Sequence, residues 1–425
     1  MASAIHPDQA DQASLTTATA AARYRGTRKT ARSGETLRPL IEVIDGVWHI
    51  RSLPLARQVL RDSAGVCQAG FNAEAIDSTG IRKPVLFQDG EAHRTMRSGI
   101  ARYFAPKTVS TRYVDLMESL ADELVAQIAT EGRCVLDEVT MRYAVQVAAQ
   151  VVGLTSSDMD RMAGRLQEFF ATPLVPAKGR PNASLVARVS GKVAATLMAL
   201  KGQRSMWAFF LRDVRPAIKA RRATPGDDVI SHCLEQGYTD VQILIECVTY
   251  GAAGMVTTRE FISMAAWHLV EDPALRDRYL SGDRQERYAV LQEILRLEPV
   301  VGHLYRRSSA ELTLTDGDQS YVVPAGALLD LYIRGANADE RHVGQEPLQM
   351  CPGRELPPRT SGEVLSFGDG PHKCPGNHLA MQESDILLQR LLRLPLVIES
   401  TPRIGWDDLI AGYEVRGLRL RVENR

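Results

Sequence analysis

The stretch Phe367-Gly368-Asp369-Gly370-Pro371-His372-Lys373-Cys374-Pro375-Gly376 sets one cysteine in a loop with three glycines. Glycine accepts positive φ and lets backbone come close to a flat ligand. Such a loop can also aim backbone N–H groups at the sulfur, which keeps a thiolate ionised and tempers its electron donation. A single thiolate offered this way is how a protein holds haem iron for oxygen activation, whereas a cysteine taken alone reads as inert core. Three further groupings have chemical capacity. Glu293 and Arg296 stand three apart, the spacing of an ordinary helical ion pair worth about 0.2–0.5 kcal/mol. His93 and Arg97 stand four apart on one helix face. Small residues at Ala253 and Gly254 precede Val256 and Thr257 within an apolar segment.

The elements that must position these groups are mostly helical. Apolar residues recur at three-to-four spacing over 92–103, 109–131, 136–152, 156–170, 184–200 and 206–220. The longest helix is expected over Asp240 to Val270, capped by Thr239 or Asp240 and ended by Asp272-Pro273. Its interior glycines, Gly251 and Gly254, each cost about 1 kcal/mol relative to alanine, which suggests that something lies against the backbone there. A hairpin is expected around Asp45-Gly46, a helix over 53–62 and an irregular run over 63–88. Short strands follow at 312–314, 321–323, 328–333, 396–398 and 418–422. Pro173, Pro176 and Lys178-Gly179-Arg180-Pro181 mark a loop. The fold class is therefore mainly α with small β-sheets, in a single large domain over 36–425 behind a flexible polar tail at 1–35.

Composition narrows the function. With 51 basic and 51 acidic side chains, nothing attracts nucleic acid or an anionic membrane in bulk. No apolar run approaches the roughly 20 residues that span a bilayer, and the N-terminus lacks an apolar signal core. A cytoplasmic protein is expected. The six cysteines are scattered without a C-x-x-C pair, so neither a zinc site nor a disulfide framework is indicated. Cys247 reads as core.

The decamer matches F-G-x-G-x-H-x-C-x-G in full, and with it the sequence resembles the cytochrome P-450 family. That resemblance implies the family's fold, haem b (iron protoporphyrin IX) as cofactor and Cys374 as the axial iron ligand. Phe367, Gly368 and Gly376 would shape the loop around the sulfur. His372, His93, Arg97 and Arg306 would bind the haem propionates, Arg307 being the lesser choice beside Arg306. It also implies that Glu293 and Arg296 form a buried structural pair completed by a second arginine, either Arg354 or Arg359. Ala253-Gly254-Met255-Val256-Thr257-Thr258 resembles the distal oxygen-binding motif, with Thr257 ordering proton-delivering water. Here the chain departs from the family, because the acidic position before the threonine is Val256, which cannot relay a proton. Arg259 and Glu260 follow, but further along the helix.

The resemblance implies a monooxygenase that hydroxylates a small organic molecule, in secondary metabolism. Electrons would come from a separate ferredoxin and its NAD(P)H-dependent reductase, and the enzyme would be a monomer. Val300, Val301 and His303 fall where the family's substrate pocket lies, although His303 equally suits a satisfied structural histidine. The altered distal motif would also suit oxidative C–C or C–N coupling, or desaturation. A haem-binding or sensing protein without turnover is the reading of a different class.

Overall fold

The helix Asp240–Glu271 organises the molecule, and its sequence explains both its start and its one irregularity. Thr239 and Gln242 cap it reciprocally: the Thr239 hydroxyl accepts from the Gln242 N–H at 3.3 Å, and the Gln242 side chain accepts from the Thr239 N–H at 2.9 Å. Asp272 and Pro273 end it and begin the next helix, Pro273–Ser281. In mid-course, Gly251–Val256 widens into a π-helical stretch containing both glycines, Gly251 and Gly254. Such insertions gather at functional sites. By length and composition this helix could cross a membrane. It is instead the core helix, with Thr258 through Val270 buried without interruption. Glu246, Arg259 and Glu260 interrupt its apolar residues, and its length serves to fill a large interior.

The computed structural model describes residues 4–5, 28–31, 38–70, 82–170, 204–407 and 410–423. Helices Leu136–Val152 and Asn377–Leu391 pack on the second half of the core helix, and Val114–Glu131 packs on both of them. In the order Val114–Glu131 then Leu136–Val152, two of these helices end on glycines at φ 72° and 98°, Gly132 and Gly153. The helix expected over 109–131 is broken at Tyr113, which is fully buried, into Pro106–Arg112 and Val114–Glu131. The segment 204–223 is helical, with a second π stretch at Phe210–Val214. The expected helix over 184–200 and the loop around Pro173 to Pro181 lie outside the described residues.

A five-stranded sheet runs in the order Ile41–Ile44, Val47–Ile50, Leu328–Tyr332, His303–Ser308 and Val66–Ala69. Its first hairpin turns on Asp45 and Gly46, both at positive φ, as a two-residue turn between twisted strands requires. The helix Leu53–Arg61 closes a smaller hydrophobic core over this sheet. Ala4–Ile5 runs parallel to Gln319–Val323, which pairs with Leu312–Asp316. The strands Leu396–Ser400, Arg419–Val422 and Arg133–Val135 form a third sheet, and Arg403–Asp407 with Gly412–Arg416 form a two-stranded ribbon.

The tail expected over 1–35 is tied down at Arg28 to Thr30. Glu298 is fully buried and takes hydrogen bonds from the Lys29 and Thr30 N–H groups and from the Thr30 hydroxyl. Arg28 donates to the carbonyls of Leu297 and Arg334 at 2.7 and 2.9 Å. Burial alone would raise the Glu298 carboxyl. His268, Arg28 and Thr30 outweigh it and hold the pKa below the ordinary value. Polar residues near a terminus become ordered when a buried charge elsewhere needs them.

Candidate active site around Cys374

The cysteine loop is held from three sides. Within it, the Cys374 N–H donates to the Phe367 carbonyl at 2.8 Å and the Lys373 N–H to the Gly370 carbonyl at 3.1 Å. Gly368 and Gly370 both have positive φ, near 70°. A Cβ on Gly370 would run into the Leu60 carbonyl, so the loop lies directly on the helix Leu53–Arg61. Arg57 and Arg61 of that helix fasten Asp369 at 3.2 and 3.0 Å. A Cβ on Gly376 would sit 4.0 Å from the Cys374 sulfur and 3.9 Å from the Phe104 ring, which leaves the sulfur a narrow glycine-lined seat. Burial pushes the Cys374 thiol up, while the Gly376 N–H, Arg97 and Lys373 pull it down.

Behind the loop stands a closed ionic network. Arg296 is fully buried and donates to both Glu293 oxygens, at 2.7 and 2.8 Å. Of the two arginines left open, Arg354 reaches Glu293 at 3.5 Å and spends its remaining donors on four carbonyls. The Cys351 N–H also donates to Glu293. Asn337, which has no exposed surface, joins this network to the loop. It donates to the Arg296 carbonyl and the Ser366 hydroxyl and accepts from the Leu365 N–H. No motif marks Asn337 in the sequence, because its partners are brought together only by the fold.

Four side chains capable of positive charge gather on the other side of the sulfur. His93, on the helix Gly90–Phe104, is buried and stacks on His372 with ring centroids 3.9 Å apart. Arg97, one turn on, donates to the Lys373 carbonyl beside the cysteine. Arg306 is 4% exposed in the central sheet, whereas Arg307 points away and donates to the Gly326 carbonyl. Burial lowers His93 to about 4, helped by His372 and Arg97. Burial also lowers Arg306 to about 10. Asp89 faces the group, 3.5 Å from His372, and also accepts the Gln68 N–H. Burial raises its carboxyl, but His372, the Gln68 N–H and Arg306 together hold it below the usual range. One carboxylate against two guanidiniums and two imidazoles leaves the cluster short of negative charge.

The core helix forms the opposite wall. Ala253 is exposed and Gly254 and Thr257 are half-exposed in the middle of an otherwise buried helix, so this face lines a hollow. A Cβ on Gly254 would meet only the Ala148 methyl, at 3.6 Å. The Thr257 hydroxyl donates to the Ala253 carbonyl at 2.5 Å, across the π stretch. Val256 is 2% exposed and packs into the main core. Arg259 and Glu260 turn away, Glu260 accepting from Arg259, Arg416 and the Val415 N–H. Thr258 donates to Glu383 at 3.2 Å. Glu383 is buried on the helix after the cysteine loop, and burial raises its carboxyl well above the usual range, which favours its protonated form. Glu383 was not singled out in the sequence, since a lone glutamate in a helix carries no signal until its burial is known.

Val300 is buried in the main core and Val301 bridges to Gly412. The His303 Nδ1 meets Asp330 at 2.7 Å, and the other Asp330 oxygen takes His49 at 2.9 Å. His303 thus has a structural partner on one nitrogen.

A family model described as cytochrome P450 matches residues 288–394, the span that holds both Glu293–Arg296 and Cys374. The chain is thereby similar to the cytochrome P-450 family over the segment that holds its cysteine loop, and the curated relatives extend that similarity over most of its length. Curated cytochrome P-450 relatives include one from Mycobacterium tuberculosis, 27% identical over 336 residues, covering 76% of this chain and 74% of the relative. The erythromycin C-12 hydroxylase of Saccharopolyspora erythraea is 25% identical over 361 residues, covering 82% and 81%. Among solved structures, the post-tailoring hydroxylase HmtN of himastatin biosynthesis shares the fold, with a TM-score of 0.71 over 92% of this chain and 95% of that one, at 22% identity. The mainly helical cytochrome P-450 fold with small sheets is thus established, and with it a monooxygenase of the oxidoreductase class. The family implies a haem cofactor, and the residues here suit it: a sulfur in a glycine seat, a hollow beside small residues, and a buried cation cluster short of carboxylate.

Proposed function

We propose that this cytochrome P-450 hydroxylates a small organic molecule of secondary metabolism, with haem b bound through Cys374. The observation that carries the reading is the surplus of His93, Arg97, Arg306 and His372 over Asp89, on the cysteine side of the hollow. Haem propionates would accept charge-assisted hydrogen bonds from the Arg97 and Arg306 guanidiniums of that cluster, with the two imidazoles beside them. When bound, the group activates O₂, so that substrate C–H, O₂, two electrons and two protons yield C–OH and water.

The chain's own residues set the conditions. Phe367, Gly368 and Gly376 shield the sulfur and leave its seat open on one side. Ala253 and Gly254 keep the hollow wide enough for a diatomic molecule. Thr257, whose own proton is committed to the Ala253 carbonyl, presents an oxygen that accepts from water. Val256 cannot hold a proton, whereas burial favours the protonated form of Glu383, which is bonded to Thr258, next along the helix. Glu383 therefore serves as the proton-holding carboxyl in place of an acid at 256. Val300 and Val301 supply apolar substrate contact. Electrons would come from a separate ferredoxin and its NAD(P)H-dependent reductase.

The reduced, carbon monoxide-bound absorption spectrum of the wild type beside Cys374→Ser tests the centre of this reading. A strongly red-shifted Soret band lost in the variant is the expected result, and identical haem binding by both overturns it. Turnover with a ferredoxin system then tests the proton route. Glu383→Gln should lower product formed per NADPH consumed severalfold, and Val256→Asp should restore part of that loss in the double variant.

A further inference from the structure

We propose that the phenol of Tyr250 donates a hydrogen bond to a haem carboxylate, completing the anion cradle that Arg97 begins. The inference rests on the haem reading above and extends it to a residue that no motif includes. Tyr250 is 8% exposed, and its hydroxyl has no hydrogen-bond partner among the described residues. Buried hydroxyls are rarely left so, because burial without a partner costs the full loss of water. A phenylalanine would fill the same space, so the oxygen needs a reason of its own.

The position of the ring supplies that reason. Tyr250 lies in the core helix directly before the π stretch, one turn ahead of Ala253 and Gly254. Its ring stacks on Phe104 with centroids 6.2 Å apart and planes 12° from parallel. Phe104 is two helical turns beyond Arg97 on the same face, and its ring edge lies 3.9 Å from the Gly376 seat of the Cys374 sulfur. The phenol therefore stands in the seam where the cation-bearing helix, the core helix and the cysteine loop meet. Cys374 and Tyr250 both stand within electrostatic reach of Arg97. Burial raises the Tyr250 hydroxyl far above its ordinary range, so it remains a donor at any working pH. A carboxylate held by Arg97 has lone pairs left for such a donor.

The competing acceptor is Glu246, one turn earlier on the same helix, whose Oε2 is also without a partner. Haem transfer from holoenzyme to excess apomyoglobin separates the two. Tyr250→Phe keeps the ring and its stack on Phe104, and Glu246→Gln keeps the shape but removes the charge. The expected result is about tenfold faster haem loss in Tyr250→Phe, with Glu246→Gln within about twofold of wild type. The propionate bending band in the resonance Raman spectrum should shift in Tyr250→Phe alone, a change that altered packing would not produce. Haem loss and Raman band unchanged in Tyr250→Phe overturn the inference, as does a Glu246→Gln variant that reproduces the Tyr250→Phe effect. If the wild type shows the red-shifted carbon monoxide band, such a failure strikes this inference alone. If it binds no haem, both readings fall.

Discussion

Two buried charged clusters flank the cysteine loop, and they differ in one respect. Around Glu293, every charge has a protein partner: Arg296 gives two hydrogen bonds, Arg354 and the Cys351 N–H add theirs, and Asn337 ties the pair to the loop. Around His93, cations outnumber the one carboxylate that faces them. A closed network holds shape, and an open one is built for something that arrives. A cluster's function is thus readable from whether its charges cancel internally, before any ligand is considered.

The largest effect should come from opening the closed network. Arg296→Met strands a buried carboxylate and should cost about 3–5 kcal/mol in denaturant unfolding, while Glu293→Met/Arg296→Met should cost less than the sum of its singles. If Arg296→Met is near neutral, the contrast between the clusters is wrong. Opening the other side should behave in the opposite way. Arg306→Met removes a surplus cation, so the apoprotein should be at least as stable as wild type, while haem retention falls about a hundredfold, or about 2.7 kcal/mol. Equal loss in apo and holo forms would make Arg306 merely structural.

Titration sharpens the contrast further. Burial raises Glu246 to about 7, against a partial offset from the Val85 N–H and Arg82. Between about pH 4.5 and 7 the unfolded chain is ionised there and the folded one is not, so apoprotein stability should fall as pH rises through that window. Glu246→Gln should remove that slope, worth about 3 kcal/mol by pH 8. The smallest effect belongs to His93. Its folded value near 4 lies below the ordinary 6.5, so the unfolded chain binds the extra proton first and apoprotein stability should drop as pH falls from 6.5 to 4. His93→Gln should flatten that acid limb, as read by thermal unfolding at fixed ionic strength.

What the sequence made legible was what local spacing encodes. The decamer, the helix Asp240–Glu271 and the Asp45-Gly46 hairpin are written in neighbouring residues, and each stands where its spacing placed it. Groups defined by distant partners were silent. Asn337, Glu383 and Tyr250 are ordinary residue types whose meaning comes from burial against segments tens to hundreds of positions away. The clasp of Arg28 to Thr30 on Glu298 was hidden for the same reason, since a polar stretch reads as solvated until its buried counter-charge is known. The ribbon Arg403–Asp407 with Gly412–Arg416 lacks clean alternation, with Gly405 and Trp406 breaking it, and so gives no strand signal in the sequence.

The widened stretch Gly251–Val256 has a consequence for ancestry as well as for chemistry. A π turn is what remains when one residue is inserted into a regular α-helix and the ladder accommodates it locally. Deleting Ala252 should let the helix close into uniform α geometry with the halves that carry Tyr250 and Thr257 keeping their relative facing, whereas the same deletion in a regular α-helix would turn one half by about 100°. The widened stretch therefore uncouples the length of the helix from the direction in which Thr257 faces.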